Sequence, residues 1–425
     1  MKQSINSVLK EVLEESKPYE DDLKEIKNEL EKFLDKLRKN IKNMKIDAEV
    51  FVGGSYAKKT LMRKDDYDVD IFLRFDSKYD EKEIAKLAGK ILSGFKGILV
   101  IHGSRDYYKL DINERIFFEI VPVVKVKNPK ESNNITDLSY FHVNYINKKA
   151  KSKKLLDEII LAKKFCYANK CYGAESYIKG FSGYALELLV CYYGSFVKFV
   201  KAMANAKNQV VIDIEKHHKN KQAILMDLNS SKLQSPIILI DPTYKQRNAL
   251  ATLSKETFEK FKKVCGDFIK NPKKEAFEFK PIDFNKLRED ARKKKLDFVL
   301  INAKTDRQTG DIAGSKLLKF YEHLADEIGK FFEIKKKAFE YDNKKSATYF
   351  LAVKKRKELL ITGPRVNDEK NVEKFKKKHK KTNVKSGRVC AREKIDFGLK
   401  EFLEMWKKKN QERIKEMYIT KVEMK

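Results

Sequence analysis

The sequence predicts an α+β chain of several domains, and three observations carry that expectation. Its 425 residues exceed what one ordinary core organises, so two or three domains follow. Hydrophobic residues make up 42% of the chain, enough for packed cores. The apolar period also changes along the chain, from helical to β-like near Ala48, back to helical near Lys153, and to a mixture after about residue 271.

Ile5, Val8, Leu9, Val12 and Leu13 recur at helical spacing, and Leu23, Ile26, Leu30, Phe33, Leu37 and Ile41 repeat it after Pro18, so two opening helices are expected. Short β-type runs follow: AEVFV from Ala48, VDIFLRF at 69 to 75, ILVIHG at 98 to 103, YKLDI at 108 to 112 and RIFFEIVPVV at 115 to 124. Together they make a mixed α/β domain with a small sheet over residues 1–150. The stretch 151–275 reads as mainly helical, in LLDEIILAKKFCYANKCYG and YALELLVCYYGSFVKFVKAM, with one strand-like island, SPIILIDP. In 276–425 the runs LDFVLINA, SATYFLAV and GRVCARE alternate with helices around 315–332 and 369–378, an order that suits an α/β domain on a single antiparallel sheet. Leu399, Phe402, Leu403 and Trp406 mark one face of a late helix.

Lys and Arg total 93 against 62 Asp and Glu, a formal net charge of +31 spread along the chain. That excess suits a polyanion, whether nucleic acid or an anionic membrane surface, although a lysine-rich proteome would raise it too. No run approaches the roughly 20 apolar residues of a membrane span. The N-terminus has no apolar stretch of signal-peptide length, so a soluble, cytoplasmic protein is expected. Five cysteines, few and odd in number, argue against a disulfide framework; Cys166 and Cys171 lack a second pair at zinc spacing and read as buried thiols on a helix. Oligomeric state is open, a homodimer included.

Chemistry concentrates in FVGGSYAKKTLMRKDDYDVDIFLRF, residues 51 to 75. A strand ends in Gly53, Gly54 and Ser55, a Lys-bearing segment follows, and the next strand sets Asp68 and Asp70 two residues apart. In a strand such residues share a face, so the two carboxylates converge, and their repulsion is tolerable only with cations between them. Two Mg²⁺ ions would serve, one at an attacking oxygen and one at the triphosphate of an in-line displacement. Gly53 and Gly54 let the backbone approach a phosphate, Ser55 can donate to it, and Lys58 adds charge. Glu119, an acid inside the apolar run RIFFEIVPVV, is the candidate third ligand, because a carboxylate there is costly without a partner. A turn followed by an exposed Asp-x-Asp is the bland alternative for either half alone; the three features together disfavour it.

The arrangement resembles the DNA polymerase β type nucleotidyltransferases, with a glycine-rich turn, an Asp-x-Asp strand about a dozen residues on, and a later strand acid. Segments far from it resemble the archaeal-type (class I) CCA-adding enzymes, which add C, C and A to the tRNA 3′ end without a template. FEIVPVV is similar to that family's VDVVPCY and LSYFHVNYI to its TPFH segment. LAKKFCYANKCYGAESYIKGFSGYALELLVCYYGSF is similar to its LLKQFLKGIGVYGSE…GFSGYLCELL…YGSF. IDPTYKQRNALATLS and ITGPRVNDEKNVEKFKKKHKKTNVKSGRVCARE match later blocks in order.

The resemblance implies a polymerase β-like palm, a mainly helical central domain and an α/β RNA-binding C-terminal domain. It implies metal binding by Asp68, Asp70 and Glu119, nucleotide contacts from Gly54, Ser55, Lys58, His142, Lys163 and Tyr172, and base recognition with help from Arg247. By themselves His142, Lys163, Tyr172 and Arg247 would read as ordinary structural or surface residues. Glu119 stands where the family usually shows Asp, and Lys58 where Arg is typical, so a point charge replaces a bidentate fork. The implied substrates are CTP, ATP and tRNA, with the basic run FKKKHKK at 375 to 381 either gripping tRNA phosphates or forming a solvated helix face. The rival expectations are a poly(A) polymerase or oligoadenylate synthase of the same superfamily, or a catalytically inactive RNA-binding relative.

Overall fold

The computed structural model describes residues 4–103, 105–379 and 381–424, and divides into two compact units, Met1–Lys280 and Pro281–Lys425. The expected boundary near residue 150 falls inside the first unit.

The first unit begins with α1 (Ile5–Ser16) and α2 (Glu20–Asn43), followed by β1 (Ala48–Val52), the single turn α3 (Gly54–Ala57), β2 (Tyr67–Phe75), α4 (Glu81–Leu92), β3 (Ile98–Ile101), β4 (Tyr107–Asp111) and β5 (Ile116–Val124). The five strands form one sheet in the order β1-β2-β5-β4-β3. β2 and β5 run parallel at its centre, and the other neighbours are antiparallel. Asp80 starts α4 by accepting from the amides of Lys82 and Glu83, while Glu83 caps in return.

One face of the sheet is core. Ile26, Leu30, Phe33, Leu37 and Ile41 of α2 and Ile84 and Ile91 of α4 pack on Val69, Ile71, Leu73, Phe118 and Ile120. Leu23, which the helical spacing would add to that stripe, is exposed. Because side chains alternate along a strand, burying the odd residues of β2 and the even residues of β5 turns Asp68, Asp70 and Glu119 to the opposite face.

The chain continues through α5 (Ser139–Lys149), α6 (Lys153–Ala168), α7 (Gly183–Tyr193), α8 (Phe196–Ala204), β6 (Val210–Asp213), α9 (Lys221–Asp227), β7 (Ile237–Asp241), β8 (Tyr244–Asn248) and α10 (Lys255–Lys270). Its core is aromatic: the Phe165 ring lies 5.3 to 6.0 Å from those of Phe196, Phe261, Phe268 and Phe277. Val8, Leu9 and Val12 of α1 join this core instead of the sheet's. Two expectations need correction. The single strand-like island is the middle of a three-stranded sheet, β6-β7-β8; β8 (YKQRN) is largely polar, and β6 (VVID) is only four residues long, too short a run to stand out by itself. Cys166 lies in α6 as expected, but Cys171 follows the helix end, past Lys170 in the left-handed region at φ 54°. All five cysteines are free thiols.

The second unit contains α11 (Phe284–Lys293), β9 (Asp297–Thr305), α12 (Asp311–Gly329), β10 (Phe332–Tyr341), β11 (Ser346–Lys355), β12 (Glu358–Arg365), α13 (Glu369–Lys378), β13 (Thr382–Lys385), β14 (Arg388–Lys394), α14 (Leu399–Lys409), α15 (Gln411–Glu416) and β15 (Ile419–Met424). In place of the expected single sheet there are two, β10-β11-β9-β15 and β12-β14-β13, both antiparallel. GRVCARE reads as a strand from its own residues, but its partners are chosen by long-range pairing, which local alternation does not encode. The late helix is α14, with Leu399, Phe402, Leu403 and Trp406 all buried. In the basic run, Lys376 to Lys378 end α13, and Lys380 lies outside the described residues.

Candidate active site

β1 delivers the chain into the turn Gly53-Gly54-Ser55, and β2 carries Asp68 and Asp70 past it. The amide of Gly53 donates to the carbonyl of Asp70 at 2.8 Å, which ties the turn to the acid strand. Gly54 adopts φ +61°, and a Cβ there would stand 1.6 Å from Oδ2 of Asp70. Only glycine allows both the conformation and the approach. In the parallel register Asp70 pairs with Glu119, which sets the third acid beside the pair on the face away from the core.

A cavity of about 180 Å³ opens there, lined by Gly54, Ser55, Lys58, Asp68, Asp70, Lys163 and Tyr172 among others. A larger cavity of about 600 Å³ lies in the second unit, bordered by Lys378, His379, Lys381, Arg392 and Lys394. Its two acids, Glu358 and Glu393, stand among these basic side chains, Glu393 bonded to His379 at 2.6 Å, whereas the smaller cavity holds Asp68 and Asp70 side by side, so the chemistry belongs to the smaller one.

The electrostatics are those of excess negative charge. Burial, with the neighbouring Asp68 carboxylate, pushes the Asp70 carboxyl up to about 6. Burial, with Asp70 and Asp68, pushes Glu119 up to about 8. Lys64 Nζ lies 3.4 Å from Asp68 Oδ1 and offsets part of the charge. An all-oxygen set of carboxylates short of positive charge suits a hard divalent cation. Among the described residues no group of three or more His, Cys, Asp or Glu side chains stands ready-made as a metal site.

A pH dependence follows. Glu119 holds a proton in the folded chain up to about pH 8 that the unfolded chain gives up near 4.5, so the folded state binds more protons in that window and its stability falls as pH rises through it. The metal-free protein is therefore expected to melt lower at about pH 8.5 than at about pH 6, with Glu119→Gln flattening the difference. Added Mg²⁺ should raise the melting temperature more at the higher pH, where it displaces no proton. Equal Mg²⁺ responses at both pH values would contradict the assignment.

Behind the cavity Lys58 and Lys163 meet Glu187, which is fully buried in α7. Lys58 Nζ donates to Oε2 at 2.6 Å and Lys163 Nζ to Oε1 at 2.7 Å. Burial alone would raise the Glu187 carboxyl; the Lys163 and Lys58 ammoniums outweigh it and hold it at about 2. Burial lowers Lys163, only partly offset by Glu187. Tyr172 is pushed well up by burial and by Glu187, so its phenol stays protonated as a donor.

His142 and Arg247 are not among the residues lining that cavity. They meet each other at Asp241, the buried end of β7. His142 Nε2 lies 3.0 Å and Arg247 Nη1 2.6 Å from Oδ2, while Tyr184 Oη and the amide and hydroxyl of Thr243 take Oδ1 at 2.8 to 3.0 Å. Burial would raise Asp241, but these donors hold it well below the usual carboxylate range. The His142 ring stacks on Tyr184 with centroids 4.0 Å apart, and burial lowers its pKa. The buried Nε of Arg247 has no hydrogen-bond partner among the described residues, a donor left for a ligand.

Sequence reasoning missed Glu187 and Asp241. The signal that singled out Glu119, an acid in an apolar run, was present for both: ALELLVCYY surrounds Glu187 and IILID ends in Asp241.

Comparison with known proteins agrees with this geometry. Residues 30–154 match the nucleotidyltransferase domain family, and residues 157–278 match the second domain of tRNA nucleotidyltransferase. The CCA-adding enzyme of Methanocaldococcus jannaschii is 30% identical over 410 residues, covering 91% of this chain and 87% of that protein. That of Nanoarchaeum equitans is 41% identical over 211 residues, covering 49% of this chain and about half, 52%, of its own length. A solved structure of Cid1, described as an RNA terminal uridylyl transferase, superposes with a TM-score of 0.51 at 16% identity over 66% of this chain and all of that one, which shows a shared fold alone. A polymerase β-like sheet with its acids on the open face, both matched domains and a relative aligned over nearly the whole chain make this protein a member of the archaeal CCA-adding enzymes, the tRNA nucleotidyltransferases.

Proposed function

We infer that the chain extends the 3′ end of tRNA by C, C and A from CTP and ATP, releasing pyrophosphate, as its family membership implies. The observation that carries the acceptor is the alignment over 91% of the chain with a CCA-adding enzyme, since a nucleotidyltransferase site by itself specifies no substrate. Three parts divide the work in this reading: catalysis in 1–150, nucleotide and substrate binding in 151–275, and tRNA binding in 276–425. The excess of basic residues supports a polyanionic substrate. No helix of the described residues is long and apolar enough to cross a membrane, and the reaction is assigned to the cytoplasm with its tRNA.

Asp68 and Asp70 would hold the divalent cations, with Glu119, paired with Asp70 in the strand register, as the third ligand. Two Mg²⁺ ions there would stabilise charge on the attacking and leaving oxygens of an in-line displacement at the α-phosphate. Once bound cations lower its raised pKa, Glu119 would also accept the proton of the 3′-hydroxyl. Ser55 and the turn amides donate to the triphosphate, Lys58 balances its charge, and Tyr172 donates as a neutral phenol. Arg247, held by Asp241 with one donor unused, reads the base edge.

A tRNA ending at its discriminator base should gain three nucleotides and stop when given CTP and ATP. It should gain two with CTP alone, read on a sequencing gel. A homopolymer of A, or reaction without tRNA, would favour a poly(A) polymerase or oligoadenylate synthase instead.

A further inference from the structure

We propose that Glu187 is a positioning residue for nucleotide binding, a buried carboxylate that fixes which ammonium donors of Lys58 and Lys163 reach the triphosphate. The inference rests on the functional reading above and deepens it.

The helix around Glu187 gives no local reason for a charge. Leu186, Leu188, Leu189 and Val190 are fully buried, Glu187 itself is 0% exposed, and a leucine would suit that environment as well. What the site shows instead is a division of the carboxylate between two cations. Oε2 accepts from Lys58 Nζ at 2.6 Å, and Oε1 accepts from Lys163 Nζ at 2.7 Å and from Thr60 Oγ1 at 2.9 Å. Lys163 Nζ also donates to Thr60 Oγ1 at 2.8 Å and to Thr60 O at 3.3 Å. An ammonium carries three protons, so every donor of Lys163 is committed inside the protein. Lys58 makes one such bond among the described residues, and two donors remain on the cavity wall.

The two lysines therefore have different tasks. Lys58 makes the direct phosphate contact. Lys163 holds Glu187 and the Thr60 segment in place, and it reaches a phosphate only by giving up one of its three bonds. Glu187 joins elements far apart in the chain, the loop after α3 and the helices α6 and α7, and so registers the glycine turn against the helical wall. Two ammoniums against one carboxylate leave one net positive charge beside Asp68 and Asp70. A lysine ammonium on a flexible stem needs such an anchor to present its donors in one direction.

The test compares the full-length wild type with Glu187→Gln, Glu187→Asp and the apolar pair Glu187→Leu/Lys163→Met. It measures equilibrium binding of Mg·CTP, KM for CTP and for tRNA, and melting temperature. Glu187→Gln should weaken Mg·CTP binding and raise KM for CTP by about 10- to 100-fold, the scale of one charge-assisted contact, with KM for tRNA unchanged. Glu187→Asp should recover part of that loss. The apolar pair removes Glu187 together with the fully committed Lys163 and leaves only the Lys58 ammonium on the cavity wall, so it should melt above Glu187→Gln without recovering CTP binding. Wild-type CTP binding in the apolar pair, or in Glu187→Gln, would overturn the proposal and leave Glu187 a structural staple. If Glu187→Gln fails to fold, the apolar pair decides. Because CTP binding is read without an acceptor, failure to extend tRNA would count against the acceptor assignment and not against Glu187.

Discussion

Replacing Asp68 and Asp70 together by alanine is expected to lower incorporation of labelled C and A by at least about 10³-fold, at the upper end of what losing preorganised charge stabilisation costs an enzyme. The chain should remain folded. Neither side chain belongs to the sheet's core, and Asp70 sits in a like-charged cluster that already raises its own carboxyl and that of Glu119. Removing the pair relieves that repulsion, so the metal-free variant should melt no lower than wild type at neutral pH. The increase in melting temperature that Mg²⁺ gives the wild type should disappear. Retained incorporation would overturn the site assignment outright.

The second large effect is expected at Asp241. Its two oxygens accept from His142, Arg247, Tyr184 and Thr243, and it is fully buried. Asp241→Ala strands the Arg247 guanidinium and several neutral donors away from water, a loss on the order of 3–5 kcal/mol for breaking a buried pair from one side. Chemical denaturation measures it. Asp241→Asn keeps one oxygen acceptor but turns an amide N–H₂ toward either Arg247 or Tyr184, donor against donor, so it should fall between Ala and wild type. The folded pKa of Asp241 lies below its ordinary 3.8, so its stabilisation is present above that value and fades as pH falls beneath it; the Asn variant should lose its disadvantage there. With Arg247 released, the preference for CTP and ATP over UTP and GTP should also weaken. Unchanged discrimination in a folded Asp241→Asn protein would detach Arg247 from base reading.

Glycine at position 54 was legible as a phosphate turn from its neighbours, and the structure adds a reason of its own, the Asp70 carboxylate packed where a Cβ would stand. Glu119 was legible because an acid in an apolar strand needs a partner, and its register opposite Asp70 supplies the cluster. Lys163 lines the cavity beside Asp68 and Asp70, but the commitment of its three donors to Thr60 and Glu187 is not visible in a one-dimensional pattern. The three-stranded sheet in the middle and the second sheet in the C-terminal unit were missed for a common reason. Short strands with polar faces carry weak period-2 signals, and strand pairing is a long-range choice.

The chain's own residue order determined the helices and strands around the site and the shared face of Asp68 and Asp70, because periods of 3.6 and 2 are local consequences of backbone geometry. Only the tertiary structure decided that Lys58 and Glu187, 129 residues apart, form one buried ion pair, and that His142 and Asp241, 99 residues apart, form another polar contact. Buried charges choose partners by desolvation and geometry in the folded interior, and neither is written in the spacing along the chain.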